Sequence, residues 1–296
     1  MYNINHNKKE NILEISNLDK TVFGKIYLNQ GASLQELTLN RKKIIQDLSP
    51  LPYNTTYASS ILFPFANRIK DGKYSFEESD YQLETNQKEE QNALHGFIYN
   101  KEFTVLSTET TNNNATIQLG YSETHKNIGF PFTYSMQITY IFTQDSVSLA
   151  LDIKNTSDKT FPFTLGWHPY FISEDLSKSE LHFDCEQKLI IGDRNITTGL
   201  TDVNEKIVFN IENKQLDDCW VLNSDKILFA TPSYRLSFSS DENDNFMQAY
   251  TPPRKNTIAI EPTTGVSDSF NNKIGLKTLK PNQKYKITWN IEIDDN

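Results

Sequence analysis

The sequence predicts an all-β fold: a large antiparallel β-sandwich with few short helices. Three observations predict it. Short bursts in which apolar and polar residues alternate recur along the chain, and that is the period of a half-buried strand. No stretch carries a sustained 3.6-residue apolar stripe, so no long amphipathic helix is expected. Aromatic residues are plentiful, with 18 Phe and 14 Tyr, and their broad side chains suit a pleated surface. The 296 residues include no linker-like tract, low-complexity run or repeat, so a single domain spanning 1–296 is the simplest organisation. Many strands in a chain of this size usually stack as two sheets face to face.

Taken in order, Ile26 and Leu28 share one strand face, and Leu37 and Leu39 share another. Tyr74 and Phe76 stand opposite Tyr81 and Leu83 across Glu77-Glu78-Ser79-Asp80, which reads as a hairpin. Strands follow at Ile117-Leu119-Tyr121, at Tyr134 to Tyr140 and at Val147 to Ile153. Between them lie turn residues such as Asp71-Gly72, Asn112 to Asn114 and Asn155 to Asp158. The clearest strand is the last. Tyr285, Ile287, Trp289, Ile291 and Ile293 alternate with Lys286, Thr288, Asn290 and Glu292, the pattern of an antiparallel strand with one dry face.

The formal net charge of −9 argues against nucleic acid or an anionic membrane as the main partner, because both attract basic patches. Cys185 and Cys219 lie far apart, in no zinc or redox spacing, and read as two unpaired buried thiols. The N-terminus has no apolar signal-peptide region, and no run is long enough to span a membrane. A soluble, cytoplasmic protein is the expectation.

Chemistry on a β scaffold usually sits in loops and at strand ends. The strand Thr257 to Ile260 delivers Glu261, and Pro262 should end the ladder there because it has no N–H to donate. Glu261 is a polar strand end, the partner of a buried Arg, or a catalytic carboxylate on a rigid support. Arg68 stands among apolar residues in Phe63 to Lys70, as a clamp on a carboxylate or a donor fork for a polar ligand. His95 precedes Gly96, which permits a left-handed turn or the close approach of a ligand. His168 lies between Trp167 and Tyr170, a setting that suits a sugar or base pocket and equally a plain core. Asp217 and Asp218 precede Trp220 in what would otherwise be a solvated turn. His6, His125 and His182 receive no role.

Five pieces, Ala66-Asn67-Arg68-Ile69, Leu94-His95-Gly96-Phe97, Gly166 to Phe171, Leu216 to Trp220 and Ile258 to Thr264, together resemble the aldose 1-epimerases, the galactose-mutarotase-like proteins. They occur in the family's order. The resemblance implies a large twisted β-sandwich with its site in a cleft on one sheet. It implies Glu261 as general base and His168 as general acid. It implies Arg68 and His95 as hydrogen-bonding partners of the sugar near the reacting centre, and Asp217 as an acceptor from ring hydroxyls. Trp167 or another pocket aromatic would pack on the sugar's apolar face. A monosaccharide substrate is implied, with no metal or organic cofactor, for a monomer or homodimer.

The run His95-Gly96-Phe97-Ile98-Tyr99 departs from the galactose branch, which has a Gly pair and then a Phe-Asp-Lys-like run. It also lacks the Arg that follows His-Gly-Phe in the hexose-6-phosphate branch. Galactose as the preferred sugar is thereby put in doubt, and a neutral aldose fits better than a phosphorylated hexose, with a hexose-6-phosphate mutarotase as the alternative. The rival readings are a glycoside hydrolase using Asp217 and Glu261, a non-catalytic sugar-binding module, and a cupin-like metal site at His95 and His168.

Overall fold

A computed structural model describes residues 1–242 and 246–294, with side chains throughout these except at 204–206. Among the described residues, 19 strands hydrogen-bond into one continuous antiparallel sheet. The sheet folds over on itself. One run passes from Thr104–Thr110 through Ala115–Glu123, Tyr134–Phe142, Ser146–Asn155, Lys284–Asp294 and Arg235–Ser240 to the far half of Asp217–Ala230. The near half of that long strand starts the second run. This continues through Phe246–Tyr250, Thr257–Thr263, Tyr170–Ile172, Lys42–Ile45, Ser33–Leu39, Phe23–Tyr27 and Ile12–Asn17 to Tyr2–Asn7. At the other end the runs meet where the Tyr2 amide donates to the Thr111 carbonyl at 3.0 Å.

Side-chain alternation decides what lies between the runs. Leu119, Ile138, Leu149 and Ile287 from the first and Ile15, Ile26, Leu37 and Ile260 from the second join one buried cluster. Both runs carry period-two patterns, so each presents one dry face, and the sandwich is the way to bury both. The α-helices among the described residues are two four-residue turns, Tyr53–Thr56 and Ser269–Asn272. None is long and apolar enough to cross a membrane.

Two local expectations need correction. The hairpin at Tyr74 is tighter than expected. Ser79 and Asp80 belong to its second strand, and the turn is Glu77-Glu78 alone, both at positive φ, 45° and 61°. Two left-handed residues give a turn whose twist matches the strands, so two residues suffice. Pro262 does not end its strand, which runs Thr257–Thr263 with Pro262 opposite Met247. On its other side, Tyr170–Ile172 pairs only as far as Ala259, and Gly166–Trp167 resumes pairing at Thr263. Pro262 thus lies beside a gap in the ladder, where one missing N–H is tolerated. Cys185 and Cys219 are buried and no disulfide joins them.

Part of the core is an aromatic cluster. Phe161 has Phe63, Phe130, Phe132, Tyr134 and Phe163 around it at centroid separations of 5.5 to 6.5 Å. Pairs at such spacing add ~0.5–1.5 kcal/mol beyond the area they bury. Phe161→Ala should therefore destabilise the fold by about 3–5 kcal/mol in urea unfolding. A loss below about 1 kcal/mol would show that the neighbours collapse into the space and that the cluster is not a fixed packing unit.

Candidate active site

The gap beside Pro262 is where the site forms. The chain between Gly166–Trp167 and Tyr170–Ile172 bulges at His168-Pro169, since Pro169 cannot donate to a ladder. The backbone of His168 is held instead by Ser60 and Ser59, its amide donating to the Ser60 carbonyl at 3.0 Å and its carbonyl accepting from the Ser59 amide at 2.8 Å. The bulge brings the imidazole to Glu261, with Nε2 3.4 Å from Oε1. Both residues are buried, His168 5% and Glu261 4% exposed.

The floor of the site follows from register. Gln248 lies opposite Glu261, and Tyr250 opposite Ala259, with Asp217 and Tyr170 in the same row. Directly opposed residues share a face. Glu261, Gln248, Tyr250, Asp217 and Tyr170 therefore look out on the side away from Ile258 and Ile260. Gln248 donates through Nε2 to Asp217 Oδ1 at 2.7 Å. Asp218, one residue on, points the other way and meets Lys188 at 2.5 Å. Of the two aspartates, Asp217 is the one that lines the cavity.

The wall comes from a second, two-stranded sheet. Asn92–Leu94 pairs with Arg68–Lys70, with Leu94 opposite Arg68. Each chain leaves that pairing through a left-handed residue, Asn67 at φ 61° and His95 at φ 62°, and the His95 amide donates to the Asn67 carbonyl at 2.9 Å. Gly96 is left-handed too, at φ 69°, and a Cβ there would stand 2.2 Å from the Phe63 carbonyl oxygen. Only glycine fits. Non-glycine residues at positive φ concentrate where a site needs a fixed geometry.

Side chains complete the wall. The His95 ring meets His168 edge to face at 5.2 Å and Tyr57 at 4.8 Å, while His168 stacks on Tyr170 at 4.9 Å. Arg68 Nε donates to Glu90 Oε2 at 3.0 Å and Gln87 Oε1 at 3.2 Å, and Nη1 to Asn67 Oδ1 at 2.9 Å. Arg68 is thus a clamp on a carboxylate and still lines the cavity. The five residues singled out from the sequence, Glu261, His168, Arg68, His95 and Asp217, line one cavity of about 180 Å³. Larger hollows exist, such as one of about 580 Å³ between Glu102 and Lys284, but they bring no buried acid–base pair together.

Sequence reading missed Asn67, Gln87, Gln248, Tyr57 and Tyr250 as lining residues. Gln248 had a signal, a lone amide in the apolar run Phe246-Met247-Gln248-Ala249-Tyr250. Trp167 is misplaced as a cavity aromatic. It is 1% exposed and packs in the core, because it alternates with His168. Tyr170 and Tyr250 line the cavity instead. No cluster of three or more His, Cys, Asp or Glu suited to a metal ion occurs among the described residues.

Burial sets the charge state of the pair. It pushes the Glu261 carboxyl well above its ordinary range, helped by Asp217 and opposed by Arg68. It pulls His168 down to about 3 and His95 well below its usual value, His168 and Arg68 adding to the effect on His95. Asp217 is raised as well, by burial first. The expectation of an ionised Glu261 beside a protonated His168 thus competes with desolvation, which favours the uncharged forms. Both arrangements leave one proton to be shared by the two groups, whose nearest atoms are 3.4 Å apart.

The aldose 1-epimerase family model matches residues 22–292. The chain belongs to the aldose 1-epimerase family. Curated relatives include the uncharacterized protein YihR of Escherichia coli K12, 23% identical over 278 residues that cover 88% of this chain and 87% of that one. Among solved structures, a galactose mutarotase-like protein from Clostridium acetobutylicum superposes with a TM-score of 0.84 at 18% identity, covering 100% of this chain and 99% of that one. Galactose 1-epimerase from Lactobacillus acidophilus NCFM gives 0.81, also at 18% identity and with the same coverage. Both share the fold of this epimerase-family chain.

Burial of Glu261 makes a stability prediction. Its folded-state pKa is raised, so above the ordinary value of 4.5 the folded form holds a proton the unfolded form has lost, or else pays for a buried charge. Stability from this group is full below pH 4.5 and falls as pH rises through the folded-state value. Glu261→Gln should therefore melt above wild type at pH 8, with the gap closing towards pH 4.5. A variant that melts lower at pH 8, with a gap that widens as pH rises, would show that the ionised pair stabilises the fold.

Proposed function

We propose that this protein interconverts the α and β anomers of a free, uncharged aldose by acid–base ring opening. The observation that carries the reading is the buried Glu261–His168 contact at 3.4 Å, in a cavity also lined by Arg68, His95 and Asp217. Family membership supports the reaction class. The core that runs from Tyr2 to Ile293 supports treating the chain as one domain.

Opening a pyranose needs a proton taken from the C1 hydroxyl and a proton given to the ring oxygen as the C1–O5 bond breaks. Glu261 accepts the first and His168 donates the second. The proton the pair shares must lie on His168 for this step, and Arg68 works in that direction, because its charge opposes the rise that burial imposes on the Glu261 carboxyl. The aldehyde then rotates about C1–C2 and the ring closes on its other face. On closure Glu261 returns its proton to O1, and His168 takes one from the C5 hydroxyl. The catalyst ends as it began. Each such group contributes ~10²–10⁴-fold.

Arg68 and His95 hydrogen-bond the sugar near the reacting oxygens and steady charge as it develops. Asp217, fixed by Gln248, accepts from ring hydroxyls. Tyr170 and Tyr250 offer faces for the sugar's C–H surface. Ile98 is fully buried and the Tyr99 carbonyl accepts from the Tyr53 hydroxyl at 2.8 Å, so the segment after His95 supplies no cation for a phosphate.

Glu261→Gln keeps the shape and removes the base. Anomer exchange, read by NMR saturation transfer, should fall by ~10²–10⁴-fold while sugar binding by calorimetry stays within a few-fold. Exchange near the wild-type rate in this variant would remove Glu261 as the base.

A further inference from the structure

Arg68 does not stand alone. Glu90 spans two parts of the chain: its Oε2 accepts from Arg68 Nε at 3.0 Å, and its Oε1 accepts from Asn195 Nδ2 at 2.9 Å. Asn195 and Arg194 form the tip between strands Glu180–Ile191 and Thr197–Asn210, a hairpin remote in sequence from the wall of the site. Arg194 fixes the loop that carries Glu90. It donates through Nε to the Glu90 carbonyl at 2.6 Å, and through Nη2 to the Gln91 carbonyl at 3.0 Å, Asn92 Oδ1 at 2.8 Å and Asp71 Oδ1 at 2.9 Å.

Arg194 and Asn195 both sit at positive φ, 60° and 58°. Two consecutive non-glycine residues in that region cost conformational energy, and such strain persists where the surroundings over-determine it. Here the surroundings are the groups that hold Glu90. Asn92 closes the ring: its Nδ2 donates to the Arg194 carbonyl at 3.1 Å and lies 3.5 Å from Glu90 Oε2.

The arrangement has two consequences for the site. Arg68 is held at Nε and at Nη1, and among the described residues Nη2 has no hydrogen-bond partner. Its charge also has a partner before any ligand arrives, because the Glu90 carboxyl lies in direct contact, 28% exposed against 13% for Arg68. Arg68 is the one Lys or Arg among the residues lining the cavity, which also include Asp217 and Glu261. A sugar bearing an anionic group meets a paired cation and two carboxyls.

We propose that Glu90 is the positioning residue for Arg68 and the determinant that keeps this site for uncharged sugars. The proposal rests on the reading of the cavity as a sugar-epimerising site. It concerns a residue outside the acid–base pair and gives the β-hairpin tip a part in substrate choice.

The test compares wild type, Glu90→Gln and Glu90→Ala on D-glucose and on D-glucuronate, by anomer exchange and by calorimetric Kd. Gln keeps an acceptor for Arg68 Nε and removes the charge. Glu90→Gln should hold kcat/KM on glucose within about threefold, and raise the glucuronate-to-glucose preference about tenfold in low salt, the gain shrinking as salt is added. Glu90→Ala should lower kcat/KM on glucose about tenfold, because a charge-assisted hydrogen bond that fixes Arg68 is lost.

A merely structural role for Glu90 would not move the charge preference. An unchanged preference in Glu90→Gln overturns the selectivity claim, and wild-type kinetics on glucose in Glu90→Ala overturn the positioning claim. The Kd arm separates these from failure of the epimerase reading. If wild type binds both sugars and exchanges neither, the catalytic reading falls, while the shift in Kd preference still decides the role of Glu90.

Discussion

A carboxyl and an imidazole placed 3.4 Å apart, both cut off from water, are what the rest of this structure has to accommodate. Removing ionisable groups from solvent costs several kcal/mol per charge, and their attraction offsets it only when the geometry is fixed. The fixing is done by backbone. Glu261 rides on a strand paired on both sides up to the gap, and His168 is tied by its own amide and carbonyl to Ser60 and Ser59. The folded-over sheet and its aromatic core supply the stability against which the buried pair is set.

The same gap in the ladder explains why the site is here. Pairing on that side breaks between Ala259 and Thr263, and His168 of the neighbouring segment reaches Glu261 across the break. Two prolines, Pro169 and Pro262, stand on either side of the break, and each lacks the N–H that would close it. The left-handed pair His95-Gly96 then brings a second imidazole across from the small sheet, and Asn67 does the same for Arg68. Left-handed residues and a break in the ladder thus meet where these polar side chains converge.

Much of this was legible in the sequence. Period two is a local signal, and it located the last strand, Tyr285 to Ile293, and the strands at Tyr134 and Val147 within a few residues. The family resemblance brought Glu261, His168, Arg68, His95 and Asp217 together, and these five line one cavity. What stayed hidden depends on pairing between distant segments. Pro262 reads as a strand end until the gap beside it is known. Trp167 reads as a cavity residue until alternation with His168 turns it inward. Glu90 and Arg194 drew no reading from the sequence, and only the meeting of two segments a hundred residues apart relates them to Arg68. The charge state of Glu261 and His168 was not legible either, because it depends on burial.

The most direct measurement of the central claim is polarimetry on freshly dissolved α-D-glucose, with D-galactose and D-xylose in parallel, for wild type and His168→Ala. The account predicts that wild type speeds the decay to an unchanged final rotation for at least one of these sugars, and that His168→Ala loses the acceleration. Equal acceleration by both proteins, or none by wild type with any free aldose, would contradict it.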